Sequence, residues 1–336
     1  MFRLPDPVAG VRFREYRGEI DFPGLVAAYN GARMADGVSG IDTLEEFTNQ
    51  YRHLTNCDLD RDLLIAEIDR GIVGYARVTW WVEEATSDRV LVAVFWLLPE
   101  ARGSGVAERM LGWAEERLAE IAAEHPHAGR QFLTAYVDEG EEERERILAV
   151  AGYQRTQQYA EMTRPLSDPI PDRPLPDGLE IRPVTRAEGR AIWEADDRAF
   201  RDHHGYALQT ETDYERWTKH ENADPALWKV AFAGAVIAGQ VLNYVNPVEN
   251  ATFGRNWGWT ESISVQREWR NRGVAKALIT ESMRMFREMG MEHVALGVHT
   301  TNPNGAFPLY ESLGYRVTAT SYELRKPFGG QHPERN

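Results

Sequence analysis

The sequence predicts an α/β protein built as two tandem copies of one plan, each a mixed, mostly antiparallel sheet flanked by helices. Three observations carry that expectation. A segment near the middle, RPLSDPIPDRPLPDG at 164–178, holds five prolines and no apolar periodicity, the composition of an extended, semi-rigid linker. The same order of strand-like and helix-like patterns recurs on both sides of it. Finally, an arginine–glycine stretch, RGSGVAERML at 102–111, returns as RNRGVAKAL at 270–278.

Each copy starts with a short strand, GVRFREY (10–16) and GLEIRPV (178–184). A hairpin follows, in which GIVGYARV (71–78) and AVIAGQVL (235–242) are the second strands after LLIAEI and WKVAF. Next come VLVAVFWL (90–97) and TESISV (260–265), each running into the arginine–glycine loop and then an amphipathic helix, near 105–123 and 273–289. A strand, a helix and a Gly-Tyr pair close each copy, at AGYQ (151–154) and LGYR (313–316). Arg102 to Arg270 is 168 residues and Gly152 to Gly314 is 162. A repeat that long is a duplicated domain, since solenoid units are far shorter. Strand runs broken by helices, with an internal hairpin, make a mixed sheet in each half. The expected division is a first domain at 1–165, a linker at 166–178 and a second domain at 179–336.

Composition bounds the function. A chain of 336 residues is enough for two domains, and 43% hydrophobic with 27% charged residues is the balance of a soluble globular protein. The net charge of −14 argues against a nucleic-acid partner and leaves room for a cationic substrate. Cys57 is the single cysteine, so no intrachain disulfide forms, which fits a reducing compartment. The opening MFRLPDPVAGVRFRE has no apolar core, so no signal peptide is expected. The apolar run VLVAVFWLL (90–98) is too short to span a bilayer. A cytoplasmic protein without a membrane partner is the expectation, as monomer or homodimer. His203 and His204 are adjacent, and no HxxxH or CxxC spacing exists, so no metal site is expected.

The loops carry the chemistry. The first turn of a helix offers unpaired N–H groups and a positive dipole end. A glycine there lets an anion approach the backbone, and arginines add charge, which suits a pyrophosphate. Neither a Walker loop nor a GxGxxG turn is present in the right setting. Two copies, each following a strand and opening a helix, are far more specific than one.

On these residues the chain resembles the GNAT superfamily of acetyl-CoA-dependent N-acetyltransferases, in the tandem arrangement of mycothiol synthase. The resemblance covers roughly 10–165 and 179–327, and it implies two tandem GNAT-like domains. The family's R/Q-x-x-G-x-G/A loop falls on Arg270, Asn271, Arg272, Gly273, Val274 and Ala275, and on Arg102, Gly103, Ser104, Gly105, Val106 and Ala107. These residues are thereby implied to bind acetyl-CoA. The downstream family pattern matches NPNGAFPLYESLGY at 302–315. Asn302 takes the place of the family asparagine, with Asn304 as the other choice. Ile263 and Val265 are implied to offer backbone groups to the pantetheine.

Direct acetyl transfer to an amine needs a base for the ammonium and a proton donor for the leaving thiolate. Tyr310, four residues before Gly314, sits where the family places its acid; the first copy has Leu148 there. Glu261 is the candidate base, since strand alternation puts Trp259, Glu261, Ile263 and Val265 on one face. A strand-edge carboxylate in solvent is the other reading of Glu261. By the 168-residue offset its counterpart is Ala93. The second copy is therefore expected to be the catalyst and the first a degenerate copy. The acidic run DEGEEERER (138–146) reads as a solvated helix start, or, from its position across from the first loop, as a charge that discourages CoA binding there. In the stretch 199–217, Asp202, Asp213, His203, His204, Tyr206 and Trp217 suggest either a pocket for a cationic amine or a polar loop. Cys57 lies outside both loops and reads as a buried structural thiol. The leading acceptor is a small-molecule amine. A mycothiol-type cysteinyl amino sugar, a protein or peptide amine, and a non-catalytic CoA-binding sensor are the alternatives.

Overall fold

A computed structural model describes residues 4–301 and 305–329. Asn302 and Asn304 lie outside the described residues. The first copy runs β1 (Arg12–Glu15), α1 (Phe22–Ala35), α2 (Leu44–Arg52), α3 (Leu59–Asp62), β2 (Leu63–Ile68) and β3 (Gly71–Val82). It continues with β4 (Arg89–Leu97), α4 (Val106–Glu124), β5 (Gln131–Asp138), α5 (Glu142–Val150) and β6 (Gln154–Pro165). The second copy repeats the plan with β7 (Glu180–Arg182), α6 (Gly189–Phe200), α7 (Glu211–Thr218), β8 (Lys229–Ala233), β9 (Val236–Tyr244) and α8 (Pro247–Phe253). It ends with β10 (Trp257–Val265), α9 (Val274–Glu288), β11 (His293–His299), α10 (Ala306–Ser312) and β12 (Arg316–Phe328).

The chain forms two compact units, and their boundary differs from the expected one. Among the described residues, the first unit is 4–157 with 321–329; the second is 158–301 with 305–320. The cause is an exchange of closing strands. In the first unit, β5 takes the end of β12 as its antiparallel neighbour, Ser321–Phe328 against Asp138–Gln131. In the second unit, β11 takes β6, Tyr159–Pro165 against His299–His293. The proline-rich segment is not a free linker either. Leu166 is buried in the second unit's core, Ile170 and Leu175 pack on the same cluster, and Arg164 donates to the Pro169 carbonyl at 2.8 Å.

Within each unit the strands follow chain order except for the closing one, and every described pair is antiparallel save one. The exceptions are β4 with β5 and β10 with β11, which are parallel. Helices cover both faces. In α4, Val106, Met110, Ala114, Leu118 and Ile121 recur every three or four residues and are all buried against β3–β5. In α9 the corresponding stripe is Val274, Leu278, Met283 and Phe286. On the opposite face, α1 and α2 bury Phe22, Phe47 and Tyr51 in the first unit, and α6 buries Ile192 and Ala195 in the second. No described helix is long and apolar enough to cross a membrane.

The strand exchange is testable by truncation. In a chain ending at Thr320, β5 has an open edge while β11 keeps its partner. Amide exchange at Leu133–Val137 is expected to quicken by roughly tenfold or more, with Val294–Val298 still protected. Equal protection of both strands would contradict the exchange.

Candidate active site

The two loops have the same backbone. Arg270 is extended (φ −64°), Asn271 is left-handed (φ 59°) and Gly273 is left-handed (φ 89°). In the first unit Arg102 is extended (φ −74°), Gly103 is at φ 69° and Gly105 at φ 81°. Left-handed residues at alternate positions turn successive N–H groups toward one side, forming an anion nest that runs into the helix N-terminus. Asparagine tolerates the first of these positions, and glycine fills the second at no steric cost.

The loop arginines have a role that spacing did not reveal. Arg270 donates to the Val265 carbonyl (3.1 Å), to Asp202 (2.9 Å) and to the Ala199 carbonyl at the end of α6 (2.9 Å). Arg102 makes the same set with Leu97 (3.1 Å), Asp36 (2.5 Å) and Ala32 (3.2 Å). Their guanidinium groups are engaged within the chain and fix the shape of each loop. Arg272 is instead exposed, its guanidinium 5.0 Å from the centre of the Trp269 ring. Asp36 and Asp202 are functional residues that sequence reasoning missed in this role. Both lie 66 to 68 residues before their arginines, a recurrence that the repeat offset contains but that no local motif marks.

A β-bulge separates the two copies. Glu261 pairs with Leu242 and Ser264 with Gln240, so three steps on β10 oppose two on β9, and Ser262 in between has φ 45°. In the first unit β3 and β4 stay in continuous register from Gly74–Leu97 to Val82–Arg89. The bulge corrects two expectations. Glu261 and Ser264 now share a face, because their partners Leu242 and Gln240 do, and Val265 falls on the other. The register counterpart of Glu261 is Val94, opposite Arg77, rather than Ala93. Ile263 lies within the bulge, outside the paired register, and its side chain and that of Val265 pack on the core shared with Val274.

Beyond the bulge the sheet opens. Parallel pairing of β10 with β11 covers only Trp257–Trp259 against His293–Ala295. Past that point the strands are bridged by side chains. Thr260 donates to the Ala295 carbonyl at 3.0 Å, and the Gly297 N–H donates to Glu261 Oε1 at 3.2 Å. Burial and the neighbouring Glu161 push the Glu261 carboxyl up to about 7, against the pull of the Gly297 N–H. Tyr310, on α10, is buried, and its ring is edge-on to Tyr315 with centres 6.0 Å apart. Burial, and then the charge of Glu261, hold the Tyr310 hydroxyl above its ordinary range. Tyr315 shares a hydrogen bond with Thr260 at 3.2 Å. In the first unit, Leu148 is fully buried in an apolar core.

The acids of 199–217 are committed elsewhere. Asp202 pairs with Arg267 and Arg270, which hold it down to about 2. Asp213 caps α7 with Thr210 and pairs with Arg216. Trp217 packs on Trp228, with ring centres 5.4 Å apart, and the Tyr206 hydroxyl donates to Asp197 at 2.5 Å. His203 packs on Phe200 and His204 on His299. Asp196 went unnoticed in the sequence. It accepts from Gln240 Nε2 at 3.2 Å, lies beside Ser264 and Ser262 of the bulge, and is pushed up to about 7 by burial. Burial raises the Cys57 thiol to about 11, so little thiolate forms at neutral pH. Among the described residues no group of three or more His, Cys, Asp or Glu side chains is placed to hold a metal ion.

These features, an anion nest at a helix N-terminus beside a parted pair of parallel strands, occur twice and define a class. The acetyltransferase (GNAT) family matches residues 35–153 and 190–315. The chain belongs to that family, as a tandem GNAT acyltransferase with both domains in one polypeptide. It is 30% identical over 171 residues to a mycothiol acetyltransferase from Thermobispora bispora, covering 51% of this chain and 57% of that relative. The chain thus spans somewhat over half the length of that relative. A mycothiol acetyltransferase from Nocardiopsis dassonvillei is 25% identical over 316 residues, 88% of this chain and 90% of the relative. The crystal structure of a GCN5-related N-acetyltransferase from Sphaerobacter thermophilus superposes with a TM-score of 0.68 at 25% identity, covering 97% of each chain. Members of the family use acetyl-CoA.

The two second-loop arginines should separate in experiment. Arg270→Met is expected to lower stability in urea by about 2–3 kcal/mol, since it removes hydrogen bonds of a charged donor. Arg272→Met should change stability by no more than about 0.5 kcal/mol and raise KM for acetyl-CoA. The reverse pattern would show that Arg270 is the phosphate ligand.

Proposed function

We propose that the chain transfers an acetyl group from acetyl-CoA directly to a primary amine of a small molecule, with the chemistry in the second unit. One observation carries the reading: the bulge presents Glu261 at the mouth of the β10/β11 opening, where it accepts from the Gly297 N–H at 3.2 Å, and the same unit buries Tyr310 on α10. The N–H groups of 271–275 receive the pyrophosphate, with Arg272 as the exposed charge. Ile263 and Val265 line the pantetheine with their backbone.

The acceptor arrives as an ammonium and gives one proton to Glu261. Its lone pair then attacks the thioester carbonyl carbon. As the tetrahedral intermediate collapses, the C–S bond breaks and its electron pair stays on sulfur. The nitrogen's second proton passes to the departing sulfur, giving the CoA thiol, while that sulfur accepts a hydrogen bond from the Tyr310 hydroxyl; Glu261 then returns its proton to solvent. A thiol of ordinary pKa, about 8.5, is more acidic than this tyrosine, so Tyr310 stays neutral and acts as a hydrogen-bond donor to the developing thiolate throughout the working pH range. A carboxyl near 7 is matched to its task, since a stronger acid makes a poorer base and a weaker one stays protonated. Acetyl-CoA as the substrate and the lone Cys57 support a cytoplasmic location.

A second reading of the acceptor has its own support. Two relatives named as mycothiol acetyltransferases favour a cysteinyl amino sugar with a free amine. Release of CoA thiol from acetyl-CoA, measured against amino sugars, a cysteinyl amino sugar, polyamines, aminoglycosides and short peptides, distinguishes the acceptors. Binding of acetyl-CoA with no release from any of them would favour a sensor.

With an accepted amine, kcat/KM should rise with pH through about 7, as Glu261 loses its proton. Glu261→Gln should lower kcat by roughly 10²- to 10⁴-fold and abolish that limb; an unchanged limb would assign it to another group, with Asp196 first to test. Tyr310→Phe should lower kcat by about 10²-fold or more while acetyl-CoA still binds. Full activity in Tyr310→Phe would remove the tyrosine from the mechanism.

A further inference from the structure

We infer that the first unit fills its own cofactor cleft with side chains of α5, so the protein holds one acetyl-CoA per chain, in the second unit. This rests on reading the 270–275 loop as the acetyl-CoA site, and extends it to the other copy. Two contacts carry it.

The first is at the nest. Glu143 Oε1 accepts from the Gly103 N–H at 3.1 Å, and its other oxygen lies 4.0 Å from Arg102 Nε. Gly103 is the first left-handed residue of the loop, so its N–H is among those the nest directs at an anion. A carboxylate of the chain stands where a phosphate oxygen would. It is held by a charge-assisted hydrogen bond, about twice as strong as a neutral one.

The second contact is in the opening between β4 and β5, whose parallel pairing stops at Val92 and Thr134. Arg144 crosses there. Its Nη2 donates to the Tyr136 carbonyl of β5 at 2.6 Å, and its guanidinium lies 4.1 Å from the centre of the Trp96 ring and 5.2 Å from that of Phe95, both on β4. Glu141, fully buried, fixes Arg144 at 2.5 Å and is itself held by the Asp138 N–H at 2.7 Å. A pantetheine arm entering this opening would have to expel a guanidinium that is paired, hydrogen-bonded and stacked on an indole. The run DEGEEERER is therefore an internal ligand with two ends: an anion for the nest and a flat cation for the gap.

The test is calorimetric titration of the full chain with acetyl-CoA, with amide exchange to locate each site. Wild type should bind one equivalent, with protection at 271–275 and none at 103–107. The double variant Glu143→Ala, Arg144→Ala should bind a second, protecting 103–107, with amine acetylation by the second unit unchanged. Two equivalents in wild type would overturn the inference and leave the proposed function standing. No equivalent in wild type would overturn the proposed function itself. A folded double variant that still binds one would also overturn the inference. Should the double variant not fold, Glu143→Gln is titrated instead with ADP, a pyrophosphate probe without the pantetheine arm that Arg144 blocks, because the Glu143 side chain is 31% exposed and its amide keeps the shape without the charge. A second, weaker equivalent supports the inference, and its absence overturns it.

Discussion

In each unit one guanidinium joins the last carbonyl of a central strand to a second place far away in sequence, the end of the first helix with the aspartate just beyond it. The alternating left-handed turn can form only if the strand end and the helix start are held at a fixed spacing, and this tie fixes it. An extended residue on the near side and a glycine on the far side then suffice for the nest. The tie survives in both copies with nearly the same bond lengths, although the chemistry around it has diverged. It is a constraint of the scaffold, prior to any ligand.

What divides the copies is a single inserted residue. A regular strand must put alternate side chains on opposite faces, so it cannot present a carboxylate at the opening and still seal the core on both sides. The extra residue between Glu261 and Ser264 relaxes that rule over one step, at the cost of a non-glycine residue in the left-handed region. In the first unit the strand remains regular, its counterpart side chain is Val94, and the opening is occupied by an aromatic–guanidinium stack. Bulge and carboxylate go together on one side, regular strand and internal arginine on the other.

Much of this was legible in the chain. The order of elements, the duplication and both loops follow from local pattern, because each element is defined by neighbours within about twenty residues. The pairing of Tyr310 with Leu148 also stood out, since both are counted from an adjacent Gly-Tyr. Three things were hidden. The bulge leaves no mark in an apolar-polar alternation that TESISV satisfies on its face, and it shifted the counterpart of Glu261 by one residue. The engagement of Arg270 and Arg102 depends on Asp202 and Asp36, which are brought in by tertiary packing. The exchange of β6 and β12 across the expected 1–165 and 179–336 division is hidden because chain order is a reliable guide to pairing only when both candidate partners are not equally suitable. Duplication makes them so.

The exchange of closing strands has a consequence for synthesis. While the protein is being made, β5 leaves the ribosome with one edge unpaired, and its partner is translated only about 190 residues later, a delay of roughly ten to forty seconds at 5–20 residues per second. The last part of the second unit, up to 320, directly precedes residues 321–328 that close the first, so both units wait for the same stretch of chain. The amino-terminal half thus matures no earlier than the second, although it is made first. For that interval the exposed strand QFLTAYVD is the part of the polypeptide most in need of a chaperone.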